Sequence, residues 1–590
     1  MFMRYLHLYL FSALLIYSHT GNTAPPPFKE TQLKRNIQID SEIQQRHRQQ
    51  TVQQEAQFIP QTDIRMDTRQ ERNLQIPSAE SPCYLIHHLS LIDYPSERLN
   101  QTEQFQWALD KAVADLQLRL PHCLGGEGLS ILMKQIQNNI IEKGYVTTRV
   151  VAQEQDLGSG NLVLSVIVGK IGNTVVMDNG RVPRFTPLHA LTAFTFEKGD
   201  ILNVRNIEQS LENLKRVPTA DANIEILPSE GEGGQIGESD LKISYAQAIP
   251  FRLNVGLEDS GSTSTGKWQA SATLSWDNIF SANDLFYTSF THSIKRHSDD
   301  KGKRASRNLS FYYSVPFGYW QLTANHTVYR YYQQVFGAFE NYLYAGESET
   351  DKLNLSRVLY RDAVRKTTLS GGFWSRHSKN FVDNTEVEVQ RRRMAGWEAG
   401  IAHKEYLSNA TLALDMNFKR GTGVRGAIGA PEEAYNEGTS RLKIITLSID
   451  YKKPFELAGQ VWQFQTGFNA QWNKTPLIPQ DRLSIGSRYT VRGFNGELSL
   501  SGERGWYWRN ELSWNVGNKG LWFYWGLDGG RVSGLGGNAR LGHHLMGTVI
   551  GLRGGWKGFY YDYFIGRPIR YPEGFSASKH VLGFNLNYAF

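Results

Sequence analysis

The sequence predicts a membrane β-barrel of sixteen antiparallel strands, preceded by two small α+β modules and an N-terminal helix. Three observations carry this fold class. Aromatic residues reach 12% and glycines number 55 in 590 residues, and these are the residue types that fill a pleated surface and make positive-φ turns. Past the first two dozen residues no run of about 18 consecutive apolar residues occurs, so no further helix can cross a bilayer. From Pro250 onward, strand-like stretches follow one another without helices, and their connections alternate between short and long, as periplasmic turns and extracellular loops do in outer-membrane barrels.

The elements follow in chain order. Residues 1–24 give a basic start at Arg4, an apolar run to Tyr17 and small residues up to Ala24, the layout of a secretory signal peptide. Residues 29–57 contain no Gly or Pro and are rich in good helix formers, so a helix is expected, polar nearly all round and therefore either poorly folded alone or surrounded by polar walls and water. Residues 58–82 mix Pro, Ser, Gln and charges without periodicity and read as a flexible linker. Cys83 and Cys123 are the only cysteines. An even pair in an exported chain reads as one disulfide closing a loop of about 40 residues, worth about 4 kcal/mol in the chain-entropy model; two buried free thiols are the rival reading.

Residues 83–168 and 169–246 each follow the order β-α-α-β-β. In "NLVLSVIVG" Leu162, Leu164, Val166 and Val168 alternate against Val163, Ser165 and Ile167, and "DLGSGN" before it is good hairpin chemistry. Residues 247–590 form the barrel, with strands expected to start near 251, 267, 284, 308, 320, 350, 366, 386, 410, 442, 460, 505, 521, 545, 559 and 581. In "HVLGFNLNYAF" Leu582, Phe584, Leu586, Tyr588 and Phe590 share one face, suited to lipid, and Gly583, Asn585, Asn587 and Ala589 the other, suited to a wet lumen. In "WYWRNELSW" Asn510 is the one polar residue on the apolar side.

Chemistry-bearing motifs are sparse. "GTGVRGAIG" and "GLDGGRVSGLGG" do not sit between a strand and a helix, and no Gly-Lys-Ser/Thr follows them, so they read as loop glycines. The His pairs 87/88 and 543/544 lack metal-ligand spacing. No nucleophile and base stand together, so neither a catalytic residue, a cofactor nor a metal is expected. The formal charge is +7 and the basic residues are scattered, which gives no support to nucleic-acid binding.

One charge stands out. Arg492 lies in the long connection 474–504 between the eleventh and twelfth strands, a loop long enough to fold back into the lumen. A guanidinium confined there needs a carboxylate. In the thirteenth strand Leu521, Phe523, Trp525 and Leu527 face outward by alternation, which turns Asp528 inward, with Gly526, Gly529 and Gly530 leaving room beside it. On the residues alone, the alternative is a strand end running into a turn.

This order of parts, with "VRGF" (Val491, Arg492, Gly493, Phe494) in the loop, "GLDGG" in the thirteenth strand and a terminal Phe, resembles the two-partner secretion transporters, the TpsB or haemolysin activation/secretion type of the POTRA-barrel superfamily. "GYVTTRV", "NIEQSLENLKRVP", "GESDL" and "EDSGSTSTG" are similar to that family too. The resemblance implies two POTRA modules at 83–168 and 169–246, residues 25–57 as a plug, loop 474–504 reaching inward, an Arg492–Asp528 salt bridge and Phe590 as the C-terminal assembly signal. It implies an outer-membrane location with the modules in the periplasm. The function implied is secretion of one large unfolded exoprotein, a haemolysin, adhesin or contact-dependent inhibition toxin, without nucleotide hydrolysis. The implied partners are that exoprotein, captured by the POTRA modules, outer-membrane lipid and lipopolysaccharide, and the barrel-assembly machinery, with the transporter itself a monomer or weak dimer. The neighbouring function in the superfamily is an insertase that assembles outer-membrane proteins.

Overall fold

The computed structural model describes residues 40–52, 63–68, 70, 74–94, 105–229, 236–297, 299–337, 340–535 and 542–590. The expected signal peptide 1–24 and residues 25–39 and 53–57 of the expected plug lie outside these. Within them, residues 40–52 form the first helix, α1.

The first module comprises β1 (Tyr84–Ile86), β2 (His88–Asp93), α2 (Gln106–Asp115), β3 (His122–Leu124), α3 (Gly126–Glu142), β4 (Arg149–Ala152) and β5 (Asn161–Ile167). β5 is central, parallel to β2 and antiparallel to β4. Leu132, Ile136 and Ile140 repeat every four residues on α3, which gives it one apolar stripe; they pack with Leu109 of α2 and Leu162, Leu164 and Val166 of β5. Cys83 and Cys123 form a disulfide with Cα atoms 5.4 Å apart, tying the chain ahead of β1 to β3.

The second module repeats the layout with β6 (Lys170–Asp178), α4 (Pro187–Ala193), α5 (Val204–Leu214), β7 (Ala220–Pro228) and β8 (Glu238–Gln247), the last parallel to β6 and antiparallel to β7. Asn203 caps α5 by accepting from the Arg205 N–H at 2.9 Å. The apolar core of this module, including Ile207, Leu211 and Leu241, runs on into Leu285, Tyr287 and Tyr312 of the barrel. Arg216 also donates to Ser314 Oγ at 2.8 Å and Asn213 to the Gly318 carbonyl at 2.8 Å, so this module is seated on the periplasmic rim.

The linker reading needs correction where residues 58–82 are described, because two stretches of it are bonded to folded parts. Glu80 accepts from the N–H groups of Gly125 and Gly128 at 2.6 and 2.8 Å, capping α3 from a distance. These two bonds hold its carboxyl below the usual range. Ile64 and Met66 donate their N–H groups to Glu212 and Glu208 of α5 at 3.0 and 2.6 Å. Arg361 reaches the same two carboxylates from the barrel, at 3.0 Å to Glu208 and 2.8 Å to Glu212, and Asp63 meets Lys404 and Tyr406. Backbone donors find side-chain carboxylates here, a pairing that hydrophobic periodicity does not reveal.

The barrel strands are β9 (Phe251–Glu258), β10 (Trp268–Asp277), β11 (Leu285–Ile294), β12 (Arg304–Phe317), β13 (Trp320–Phe336), β14 (Asn341–Arg361), β15 (Arg365–Val382), the short β16 (Thr385–Glu386), β17 (Arg392–Leu407), β18 (Ala410–Thr422), β19 (Lys443–Leu457) and β20 (Gln460–Asn473). Two short strands of the inward loop follow, β21 (Leu483–Ile485) and β22 (Leu500–Gly502), and then β23 (Arg504–Val516), β24 (Leu521–Ser533), β25 (His544–Trp556), β26 (Phe559–Arg570) and β27 (Val581–Ala589). β27 pairs antiparallel with β9 and closes the barrel. Among the described residues sixteen strands span, because β16 is a stub and β15 pairs directly with β17.

Strand starts depart from expectation most at β14, which begins nine residues early, and the connection expected to be long after β13 is only residues 337–340. The hydrophobic pattern stops at the membrane rim, but the hydrogen-bond ladder needs no apolar side chain and continues into water, with Arg330 facing Glu347 at 2.7 Å. Asn510 also finds its reason. Its Oδ1 accepts from Thr466 Oγ1 at 2.7 Å, that hydroxyl accepts from Trp508 Nε1 at 2.6 Å, and its Nδ2 donates to the Leu527 carbonyl at 3.1 Å, so its polar groups are satisfied within the wall. Phe590 ends the chain with its N–H on the Leu253 carbonyl at 2.9 Å and its ring against Tyr588.

Candidate functional site

The site is the barrel lumen, closed by α1 and by the loop 474–503. Alternation points small uncharged polar side chains inward on β10 to β13, among them Thr273, Ser275, Ser289, Thr291, Ser306, Asn308 and Ser310, all buried. Such a wall exchanges hydrogen bonds with water or with a peptide backbone at little cost.

α1 meets this wall and the loop through polar ends. Gln45 donates to the Pro479 carbonyl at 2.7 Å, Arg46 to the Gly261 carbonyl at 2.8 Å, and Gln50 to Ser260 Oγ at 2.8 Å. Ser487 donates to Gln49 Oε1 at 2.9 Å, Arg48 pairs with Asp481 at 3.4 Å, and Tyr331 donates to Asp40. Apolar burial is slight: Ile43 enters a cluster with Tyr329, Tyr331 and Tyr344, and His47 stacks on Tyr329 at 3.9 Å. Every polar contact here can be replaced by one to water.

The loop is held more firmly. Arg492 and Asp528 are 7% and 1% exposed. Arg492 Nε donates to Asp528 Oδ2 at 2.7 Å and Nη2 to Oδ1 at 3.0 Å, a two-pronged pair, and the Arg492 N–H adds a bond to Oδ2 at 3.0 Å. The remaining prong, Nη1, donates to Glu511 Oε2 at 2.5 Å, and Nη2 also reaches the Asn510 carbonyl at 3.1 Å. Glu511 in turn accepts from Arg553 at 2.6 Å. The guanidinium thus spends its fork on two neighbouring strands, which an ammonium could not do.

Close approach makes this geometry possible. A Cβ on Gly526 would stand 2.4 Å from Arg492 Nη2, and one on Gly547 would stand 2.0 Å from the Arg492 carbonyl oxygen. Gly493 has φ +104°, and a Cβ there would meet the Arg567 carbonyl oxygen at 2.6 Å, so only glycine fits the turn. Val491 and Phe494 flank it in an apolar cluster with Ile485, Leu500, Val532, Leu545 and Phe575.

The structure therefore brings together Arg492, Asp528, Val491, Gly493 and Phe494, and separately Cys83 and Cys123; Phe590 stands apart at the end of β27. Sequence reading missed Glu511 as a partner, although alternation already turned it to the lumen beside the Arg492 loop. Three further clamps were also missed. Arg376 grips Asp481 with two prongs, at 3.0 and 2.7 Å; Arg488 donates to Asp259 at 2.5 Å; and Glu497 accepts from Ser262 Oγ at 2.8 Å and the Thr263 N–H at 3.1 Å. The last two place the "EDSGSTSTG" stretch as the shelf on which the loop tip rests. Among the described residues His326, Glu349 and Asp351 have potential ligand atoms within 4.8 Å of one another; His326 and Asp351 already pair at 2.8 Å on the outer wall, away from the lumen.

Comparison with known proteins gives a consistent picture. Residues 237–554 match the family described as haemolysin secretion/activation protein ShlB/FhaC/HecB, residues 101–169 the ShlB-type POTRA domain and residues 170–228 a POTRA domain. The chain is 31% identical to outer membrane transporter CdiB-2 of Burkholderia pseudomallei (strain 1026b) over 98% of both chains. It is 25% identical to hemolysin transporter protein ShlB of Serratia marcescens over 70% of this chain and 71% of that one. Among solved structures, CdiB from Acinetobacter baumannii matches with TM-score 0.81 at 29% identity, covering 94% of this chain and 99% of that one.

Proposed function

This chain belongs to the ShlB/FhaC/HecB family of haemolysin secretion/activation proteins, and from that premise we propose that it exports one exoprotein through a lumen vacated by α1. It is an outer-membrane transporter of the two-partner secretion type, with its POTRA modules in the periplasm. Its cargo is of the contact-dependent inhibition class, a reading supported by the CdiB names of its relatives in Burkholderia and Acinetobacter. The cargo is captured on the POTRA modules and passes unfolded, with no nucleotide hydrolysis and no catalytic step. Residues 1–24 are removed as the chain is exported. Phe590 addresses it to the barrel-assembly machinery, and it works as a monomer or weak dimer.

The observation that carries the reading is the contrast between the two seals. α1 is held almost wholly by contacts that water can replace, whereas the loop is anchored by a buried fork pair and an apolar cluster. One seal is built to leave and the other to stay as a guide. Strand-by-strand folding of a repetitive cargo outside would then bias passage in one direction.

Deleting this protein from an otherwise intact strain is expected to abolish surface display of the cognate exoprotein and to leave it in the periplasm; undiminished display overturns the proposal. Removing residues 29–57 is expected to raise single-channel conductance in planar bilayers several-fold. Unchanged conductance means that the helix does not obstruct the lumen.

A further inference from the structure

The barrel closes on a short seam. β27 and β9 pair only from Asn585 to Ala589 and from Asn254 to Glu258, although β27 begins at Val581. Above that point β9 has ended and the chain has turned into the loop 259–267. At the extracellular end of the seam the wall therefore opens into a groove of about 870 Å³ between Val581–Phe584 on one side and Trp268 on the other. The Phe584 N–H takes a side chain, Asp259 Oδ1 at 2.9 Å, in place of a strand partner, and its ring meets Trp268 edge-on at 5.4 Å.

The groove changes character along its length. Its floor includes the outward-facing, exposed Ile550, Leu552, Ile565 and Leu582. Its extracellular lip carries Lys267, Arg296 and His580. The Arg296 guanidinium lies over the Trp268 ring at 5.1 Å. Asp299 accepts from the backbone N–H groups of both Lys267 and Arg296, at 3.3 and 2.9 Å. Among the described residues neither of these two basic side chains is held in an ion pair. Asp259, the acidic residue of the lining, is already bonded to Arg488.

An apolar floor alone accepts any acyl chain. Basic groups confined to the outer lip add a demand for phosphate at the extracellular water boundary. We propose that the seam groove is a binding site for the phosphorylated glycolipid of the outer leaflet, lipopolysaccharide, with one acyl chain along Ile550, Leu552, Ile565 and Leu582 and a lipid A phosphate on Lys267 and Arg296. The lipid fills the notch where the strand ladder is missing and clamps the seam from outside.

The test uses the full-length transporter purified in detergent and native mass spectrometry with three probes: bisphosphoryl lipid A, the same lipid with its phosphates removed, and phosphatidylethanolamine. The wild-type protein should retain bisphosphoryl lipid A in preference to both others. Lys267→Glu with Arg296→Glu should reduce that retention by at least roughly thirtyfold, and Lys301→Glu with Lys303→Glu, outside the groove, should not. Heat-modifiable migration reports folding; if the double variant fails it, Lys267→Gln with Arg296→Gln and the groove-filling Leu582→Trp replace it. Equal retention by wild-type and groove variants, or equal retention of the dephosphorylated lipid, overturns the assignment. Because retention is read on isolated protein, a failed secretion assay and a failed lipid assay are distinguishable.

Discussion

Arg492→Ala is expected to reduce exoprotein secretion by an order of magnitude or more while a heat-modifiable barrel still reaches the outer membrane. The substitution leaves Asp528, fully buried, with only the N–H groups of residue 492 and Asn510, and Glu511 with Arg553. Breaking a buried pair by removing one partner costs about 3–5 kcal/mol, chiefly because the surviving charge stays desolvated. That cost falls on the docking of the loop and not on the strand ladders, so the barrel persists and the loop detaches. Limited proteolysis between residues 474 and 503 should accelerate accordingly. Arg492→Lys should fall between the two, since an ammonium keeps the charge but cannot hold Asp528 and Glu511 in one plane. Normal secretion by Arg492→Ala with a protease-resistant loop would exclude the loop anchor from transport.

The second large effect is expected from holding α1 in place. Cysteines at positions 49 and 487, where Gln49 and Ser487 are hydrogen-bonded at 2.9 Å, can be joined by a short thiol-reactive linker. The native cysteines do not compete, because they are bonded to each other. α1 contributes few apolar contacts, which makes its resting place a shallow minimum, and the proposed route requires the cargo to empty it. A covalent tether removes that exit without altering the barrel.

Much of this architecture is legible in the sequence because barrels write their periodicity plainly. Leu521, Phe523, Trp525 and Leu527 fix the lipid side of β24 and so turn Asp528 inward without reference to any partner. The length of the connection 474–504 exposes the inward loop in the same way. Polar pairing leaves no such trace. The grip of Arg376 on Asp481, of Arg488 on Asp259 and of Glu208 and Glu212 on the backbone of residues 64 and 66 joins residues more than a hundred positions apart, with no shared pattern to link them. The upper reach of β14 is hidden for a related reason: its ladder outlasts the hydrophobic signal that marks a strand. Glu511 lies between these cases, since alternation places it in the lumen but only the loop's path shows what it holds.

Passage of cargo through the space that α1 occupies at rest, as proposed, is read from exoprotein at the cell surface as a function of the fraction of transporter crosslinked between positions 49 and 487. Secretion is predicted to fall in proportion to the crosslinked fraction and to reach background at full crosslinking, with the single-cysteine proteins treated in the same way unaffected. Full secretion from a completely crosslinked population would show that the cargo does not need that space and would overturn the proposed route.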